Sequence, residues 1–427
     1  MKTSGKTPLV PRIVKSQLWT KTMLLAGLAS LHSGHAQQIV APLTIEPESA
    51  RTDPSSQVGN SPASRSAGEG SLAPAPASPL EWGPFNIRPH IIYRILYSDG
   101  LQSTPGHPTS TTINTFAPGF LAELGTHWSF DYTPSWNEYS SHQFRDTLDH
   151  AAKLIWGTAY EEWVFHASQD YNRSTSPQIQ TAQQTRETDY LTDLNVSYQF
   201  AGDLTAETAL SRSVRLVEAF NDTRQWSIRE LFHLKESAEL DSALGAEYGY
   251  VKTSNSPDMS FVQFLARVAW RMSEKLNLEL QGGLENRHIK QTGAANLRNP
   301  VLTTTLHYRP VETTQLSFSS SRTTSVSYFS NQIVENSTYA AGLDQRLLTH
   351  FQLAAGAEYQ DSQFRSTTPS TPNDRKDKNY SFTLGLRTVV FHRLDLTFQY
   401  RKSHNSSSVP GFGFSSNQVG LELGYHY

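Results

Sequence analysis

The chain has 427 residues and no cysteine, so neither a disulfide framework nor a cysteine-based metal or redox site is available. It carries 36 lysine and arginine residues against 39 aspartate and glutamate residues, and no block of like charge predicts nucleic-acid binding. The mean hydropathy is −0.48, and no segment beyond the N-terminus approaches the run of about 20 apolar residues that a membrane helix needs.

Residues 1–36 have the organisation of a secretory signal peptide. Basic residues precede a short apolar core, Met23–Leu31, and Gly34 and Ala36 then provide the small residues of a cleavage site. The apolar core is too short for a membrane anchor, and the absence of a following cysteine excludes lipoprotein processing. We therefore predict export and cleavage after Ala36.

Residues 37–84 are dominated by proline, serine, alanine and glycine, and almost lack aromatic side chains. Such a segment cannot bury enough apolar surface to offset the entropy cost of ordering it. We predict a disordered periplasmic linker, too short and too polar to fill a large barrel as a folded plug.

The end of the chain alternates strictly between two kinds of side chain. Val419, Leu421, Leu423, Tyr425 and Tyr427 are apolar or aromatic, and the residues between them are polar or small. This pattern resembles the C-terminal signal by which the assembly machinery recognises bacterial outer-membrane β-barrels. The alternative is an amphipathic edge strand of a soluble sandwich, and the export signal favours the barrel.

The same period of two recurs upstream, for example over 394–401, 262–271 and 190–200. Each such strand places apolar residues with aromatic ends on one face and charged residues on the other. Charges need water, so the interior of the barrel is predicted to be wet. Five tryptophans suit the aromatic girdles at the membrane interfaces: Trp128, Trp136, Trp156, Trp163 and Trp270.

Residues 85–427 are predicted to form an all-β, antiparallel, up-and-down transmembrane β-barrel of about 18 strands with both ends in the periplasm. Tight turns alternate with longer polar connections, among them Asp99–Thr111, Tyr171–Glu187 and Thr323–Gln332. Sixteen strands is the alternative, because 112–123 and 223–236 alternate poorly. The predicted location is the bacterial outer membrane.

Asn299 to Phe364 contains NPVLTTTLHYRPVETTQLSFSSSRTTS and then STYAAGLDQRLLTHFQLAAGAEYQDSQF. An aromatic strand end, a tight turn with proline, a Thr/Ser/Arg hairpin and a GLDQRL strand follow one another there. This stretch resembles the β-barrel porin-2 family, which includes outer-membrane barrels encoded with exopolysaccharide biosynthesis operons. The resemblance implies a pore, with a role in polysaccharide export as an expectation, and it carries over no functional residue.

The charged face of the strands predicts the lining of the pore. The same charges could pair across neighbouring strands and stiffen the wall, and both roles are compatible. Aromatic side chains fall almost wholly on the outward face. This argues against a sugar-specific pore, which would need a row of inward aromatic side chains for sugars to stack on. The predicted lining residues are Arg94, Asp193, Glu207, Arg215, Glu247, Arg267, Arg271, Asp344, Arg346, Glu358, Arg387, Asp395 and Arg401, with Arg88, Glu279 and Glu422 as further members.

An outer-membrane enzyme, a protease or lipid hydrolase, is the alternative function. Its candidate site is His142, Asp146, Asp149 and His150, near an extracellular loop. In a strand, Asp149 and His150 would point to opposite faces and could not form a catalytic dyad. The chain lacks Walker, HExxH and GxSxG motifs, so the sequence favours a channel without enzymatic activity.

No metal or cofactor is predicted, since the acidic segment around Asp374 and Asp377 lacks the ordered ligand spacing of a calcium loop. The expected partners are outer-membrane lipid, the barrel assembly machinery and components of polysaccharide export, and no nucleic acid.

Overall fold

The computed structural model describes residues 80–200, 202–291, 296–348, 350–368, 374–391 and 393–426. The predicted signal peptide, the predicted linker up to residue 79, and Tyr427 lie outside these residues. Among the described residues, no helix is long and apolar enough to cross a membrane.

The described residues form strands joined by short connections. The strands are β1 (Leu80–Trp82), β2 (Phe85–Thr104), β3 (His107–Leu124), β4 (Trp128–Tyr139), β5 (Thr147–Tyr160), β6 (Trp163–Gln178), β7 (Gln183–Gln199), β8 (Leu204–Val217), β9 (Thr223–Lys235), β10 (Leu240–Thr253), β11 (Met259–Ser273), β12 (Leu276–Ile289), β13 (Leu297–Val311), β14 (Thr314–Val326), β15 (Gln332–Leu347), β16 (Phe351–Ser366), β17 (Arg375–Val390), β18 (Leu394–Ser407) and β19 (Phe414–His426).

Strands β2–β19 form a closed antiparallel barrel of 18 strands. Each strand pairs with its neighbours in sequence, and the barrel closes where β19 meets β2, with Tyr425 opposite Ile91. The predicted fold is therefore confirmed, and the alternative of sixteen strands is wrong. The short strand β1 falls within the predicted linker and makes a hairpin with the start of β2, where Leu80 lies opposite Ile87.

The two ends of the barrel differ less in loop length than the sequence predicts. Segments expected to be long extracellular loops are mostly strand: β2 continues to Thr104 and β3 begins at His107, and β6 and β7 are separated only by residues 179–182. The apolar alternation stops once a strand leaves the membrane, because its outward face then meets water. Backbone pairing does not depend on that alternation, so the strands extend further than it shows.

The two faces of the wall have opposite chemistry. On β18, the outward Phe398 is 46% exposed, whereas the neighbouring inward Gln399 and Arg401 are 5% and 9% exposed. Trp128, Trp136, Trp163 and Trp270 are also among the exposed large apolar side chains. An apolar outer face and a polar interior are what a strand-built membrane protein requires.

Two hairpin tips meet inside the barrel at its extracellular end. β5 and β6 pair only as far as His150 opposite Arg173, and Ser174–Gln178 are paired with β7 alone and are buried on both faces. Across the barrel, the pairing of β13 with β14 ends at Leu302 opposite Arg322. On its other side, β15 stays paired with β16 as far as Gln332 opposite Ser366. The β6–β7 tip (residues 174–186) therefore leaves the wall, whereas the β14–β15 tip (residues 323–335) stays attached to it through β15 and brings the buried Tyr328 into the lumen.

Candidate functional site: the barrel lumen and its extracellular closure

The two tips meet at Tyr328, which is fully buried. Its hydroxyl donates a hydrogen bond of 2.7 Å to Glu187 Oε2 of β7, and its backbone N–H lies 3.5 Å from Gln180 Oε1. The backbone N–H of Asn221, in the β8–β9 loop, donates to the carbonyl of Tyr328 at 2.8 Å. Burial, followed by the neighbouring charge of Glu187, raises the pKa of Tyr328 well above its ordinary value. The phenol therefore stays neutral and can act as a donor.

Arg375, at the start of β17, anchors the β6–β7 tip from a third side. Its guanidinium lies 3.9 Å from the ring centre of Phe364, 4.2 Å from that of Phe412 and 5.6 Å from that of Phe329. It also donates to the backbone carbonyl of Gln180 at 3.1 Å. A cation stacked between aromatic faces and bound to a carbonyl is held firmly in place.

An apolar cluster seals the opposite side of the β6–β7 tip. Ile179 of the tip packs with Leu96 and Leu101 of β2, and Phe144 of the β4–β5 loop belongs to the same buried cluster. Leu101 is fully buried. Apolar and polar contacts thus join the tip to several walls of the barrel.

Gln184 ties the same tip to the rim, where an ion pair joins two neighbouring loops. Arg145 pairs with Glu218 through two hydrogen bonds, and the Gln184 amide exchanges hydrogen bonds of 2.9 Å with the backbone of Arg145. The hydrogen bond from Arg145 lowers the pKa of Glu218 below its ordinary value. Both charged side chains are more than two fifths exposed, so this pair contributes little stability.

Below the tips lies a polar cavity of about 290 Å³. One side carries charges from β7–β12, and the other carries hydroxyl and amide side chains from β13–β16. The charged lining of β7–β12 is Glu187, Asp189, Arg215, Arg229, Glu247, Glu279, Glu285 and Arg287, and β14 adds Arg322. The neutral lining includes Thr303, Thr305, Ser321, Thr323, Asn336, Thr338 and Gln360.

Glu207 on β8 is the centre of a buried network on the charged wall. It lies 3.2 Å from Arg229, 3.2 Å from His233 Nε2 and 3.1 Å from the amide nitrogen of Asn195. The other ring nitrogen of His233 lies 3.0 Å from Asp241. Charges buried at this depth require such partners, so the network fixes the relative positions of β7–β10.

A second network lies near the periplasmic end. Asp395 on β18 lies 3.0 Å from Arg387 of β17 and 3.1 Å from His426 of β19. It joins the last three strands of the chain on their inward face. Among the described residues, no group of three or more His, Asp or Glu side chains is arranged to hold a metal ion.

On β15 and β16, small residues lie between the inward charges Asp344 and Glu358. Gly342 and Gly356 face the lumen, where an added Cβ would lie 2.6 Å from Ser317 Oγ and 2.7 Å from Thr383 Oγ1. Larger residues would displace these hydroxyls. The lumen therefore combines buried charge networks with a stretch of small residues on β15 and β16.

The structure places the predicted lining residues at three levels of exposure. Those less than a tenth exposed are Glu207, Arg215, Glu247, Arg267, Arg387, Asp395 and Arg401. Those of intermediate exposure are Arg94, Asp193, Asp344, Arg346 and Glu358, and Arg271 is exposed at the periplasmic end. Arg88 forms an ion pair with Glu123 at 3.2 Å.

Sequence reasoning missed the residues of the closure. Gln180 and Tyr328 lie in segments interpreted as solvated loops, and nothing in their immediate sequence distinguishes them from such loops. Asp377, considered as part of an acidic loop, lies in β17, 3.2 Å from Arg375. The alternation of Arg375 and Asp377 with exposed lysines could have placed both on the inward face.

The residues proposed for an enzyme site do not converge. Asp149 accepts hydrogen bonds from Asn137 and from the backbone of Thr175, on the inward face of β5. His150 lies on the other face, 2.9 Å from the hydroxyl of Tyr132. Asp146 accepts a hydrogen bond from the backbone of Tyr139.

The closed wall, the apolar outward face and the polar lumen define an outer-membrane β-barrel of the porin class. Residues 255–427 match the family described as Putative beta-barrel porin 2, which confirms the family named by the sequence resemblance. No curated protein matches the chain.

Among solved structures, OccK11 (OpdR) of Pseudomonas aeruginosa is 11% identical with a TM-score of 0.41, covering 80% of this chain and 95% of its own. OccK2 (OpdF) of the same organism, in complex with glucuronate, is 10% identical with a TM-score of 0.45 and coverages of 80% and 98%. A BenF-like porin of Pseudomonas fluorescens Pf-5 is 8% identical with a TM-score of 0.46 and coverages of 80% and 99%.

Proposed function

We propose that this barrel is a gated channel that admits small polar solutes when the β6–β7 and β14–β15 tips move away from each other. The observation that carries the proposal is the contact of Tyr328 with Gln180 of the β6–β7 tip and with Glu187, directly below that tip on β7. A permanently open porin would not need buried side chains to bridge its lumen.

The contacts that hold the two tips suit a reversible closure. They are hydrogen bonds and contacts of cations with aromatic rings, each worth about 0.5–3 kcal/mol. A partner or solute that binds the open form more tightly needs only a few kcal/mol to reverse the equilibrium. The mixed charges of the wall support weak ion selectivity rather than rejection of one sign.

We further propose a role in exopolysaccharide export, which rests on the family resemblance. Residues 37–79 would then contact export components in the periplasm. The assembly machinery would recognise the C-terminal strand. We assign no catalytic role to the chain, because Asp149 and His150 lie on opposite faces of β5.

The test is conductance in planar bilayers of the wild type and a variant in which residues 176–184 are replaced by a two-residue turn. We expect rare, small steps from the wild type and frequent, larger ohmic steps from the variant. Equal conductance would show that the β6–β7 tip is not the closure. If neither protein conducts, the channel proposal itself fails.

A further inference from the structure

The outward face of β14–β17 contains an apolar groove of about 420 Å³. Its floor is Ala341 and Ala357, which lie directly opposite each other on β15 and β16. Small side chains here leave a depression in a face that otherwise projects large ones. The walls are aromatic: Phe318, Tyr339, Tyr359, Tyr380 and Phe382.

The aromatic side of the groove is ordered by ring contacts. The ring centres of Tyr339 and Tyr359 are 6.3 Å apart, and those of Tyr359 and Tyr380 are 4.8 Å apart. Tyr339 and Tyr380 remain about half exposed, at 47% and 50%. Tyrosines of this kind belong at the membrane interface, so the groove lies at the outer edge of the apolar band.

Cations border the groove toward the extracellular end. Lys402 lies opposite Phe382 across β17 and β18, and Lys378 lies two residues beyond Tyr380 on the same face. Both lysines are exposed, and no ion pair to either occurs within the described parts of the chain. Asp361 faces Lys378 in register without forming such a pair.

The same order of side chains recurs on the far side of the barrel, where Arg224 and Lys252 lie directly opposite each other beyond Trp226 and Tyr250. Like charges placed opposite each other destabilise a sheet unless an anion lies between them. The extracellular border of the lipid-facing surface thus carries positive charge in two places, at Lys378 and Lys402 and at Arg224 and Lys252.

We propose that the β14–β17 groove binds a phosphorylated glycolipid of the outer leaflet. One acyl chain lies over Ala341 and Ala357 between the aromatic side chains, and a phosphate lies between Lys402 and Lys378. Lysine is a compact point charge on a long stem and reaches anionic headgroups from the edge of an apolar surface. The groove and the lysines are needed together, because neither an acyl chain nor a phosphate alone satisfies the whole surface.

The experiment is native mass spectrometry of the purified full chain in detergent, titrated with lipid A or with the same lipid stripped of phosphate. K378Q/K402Q removes the cations, and A341F/A357F fills the floor. Matched controls are K275Q/R309Q, cations of the periplasmic turns, and A246F/A266F, small outward residues of β10 and β11. Heat-modifiable migration on gels checks that every variant is folded.

We expect both test variants to bind lipid A about tenfold or more weakly, since each cation near an anionic lipid contributes roughly a factor of five. The controls should stay within about twofold of the wild type, as surface substitutions usually do. The phosphate-free lipid should bind weakly to every protein.

Unchanged binding in either test variant would overturn the proposal, as would an equal loss in the controls. Equal binding of the phosphate-free lipid would show a purely apolar groove. Competition by millimolar inorganic phosphate would show a site for free phosphate, and it would also overturn the glycolipid assignment.

Discussion

The hydroxyl of Tyr328 donates a 2.7 Å hydrogen bond to Glu187 and so joins the β14–β15 tip to β7, directly below the β6–β7 tip. Arg215 stacks on the same tyrosine ring at 4.6 Å and donates to the backbone carbonyl of Val326 at 2.8 Å. Glu187 is 4% exposed. Because the carboxylate is buried, the closed arrangement depends on the donor that Tyr328 supplies.

Replacing Tyr328 by phenylalanine should raise the open fraction of the channel. The change removes a hydrogen bond to a charged group and leaves Glu187 without this donor, at a cost of about 1.5–3 kcal/mol to the closed state. We expect open probability in planar bilayers to rise by about tenfold or more. Tyr339→Phe is the matched control, since Tyr339 is 47% exposed on the outer face. Equal open probability in both variants would contradict this role.

Alkaline pH should open the wild-type channel. The pKa of Tyr328 is raised by burial and by the charge of Glu187, so its neutral form is favoured when the tips are closed. A raised pKa stabilises the closed state below the ordinary value of 10.0, and this contribution is lost as pH rises through the raised pKa. Conductance should therefore increase only above pH 10, and Tyr328→Phe should lack this step. An increase that begins below pH 10 would argue against Tyr328 as the titrating group.

Ion selectivity should respond to Arg271 more cleanly than to Arg267. Arg271 is exposed at the periplasmic end, whereas Arg267 is 5% exposed and sits near Glu207 and Glu279. Arg271→Glu should shift the reversal potential toward cations with the fold intact, since charge acts on ions within about 10 Å. Arg267→Glu should instead destabilise the barrel by placing a buried carboxylate beside those of Glu207 and Glu279.

The control for selectivity is Arg212→Glu, an exposed arginine on the outward face of β8. The measurement is the reversal potential of Arg271→Glu, Arg267→Glu and Arg212→Glu in a salt gradient. If the wild type rarely opens, the three substitutions are combined with Tyr328→Phe. A shift from Arg212→Glu as large as that from Arg271→Glu would show that the inward position is not what matters.

The Glu207 network should be a main source of stability. Glu207→Ala removes the partner of Arg229 and one partner of His233, whose side chains are 9% and 1% exposed. Breaking a buried pair by removing one member costs about 3–5 kcal/mol. We expect a lower urea midpoint in heat-modifiability assays. Glu239→Ala, in an exposed periplasmic turn, is the control, and an equal midpoint in the two variants would place the stability elsewhere.

Much of the barrel follows from the sequence, because period-two alternation is a local property of each strand. Val262 to Trp270 assigned one face of β11 to lipid and the other to the lumen, and the neighbouring strands fix the count of 18. The sequence did not predict the β6–β7 tip, because its strand end is buried on both faces and polar and apolar residues do not alternate there. Ser174–Gln178 are polar, and only the contacts of nearby Gln180 with distant Tyr328 and Arg375 show that the tip enters the lumen.

The C-terminal strand should carry the assembly signal, although the last residue lies outside the described part of the chain. Leu421, Leu423 and Tyr425 are 44%, 37% and 40% exposed on the outward face, and Tyr425 lies opposite both Leu394 and Ile91 at the closing seam. Tyr425→Asp places a carboxylate on this lipid-facing side near the membrane–water interface. A charge there costs at most about 1 kcal/mol of stability in the folded barrel. The stability loss alone therefore predicts nearly normal amounts of folded protein.

Recognition by the assembly machinery predicts a different result: Tyr425→Asp should leave little barrel in the outer membrane and accumulate unfolded chain in the periplasm. Ser415→Asp places the same charge at the other end of β19 and should assemble normally. Surface proteolysis and heat-modifiable migration of membrane fractions measure assembly, and refolding of the purified variant in detergent measures intrinsic stability. Normal refolding with failed assembly in cells is expected. If Tyr425→Asp assembles as well as Ser415→Asp, this strand is not the signal.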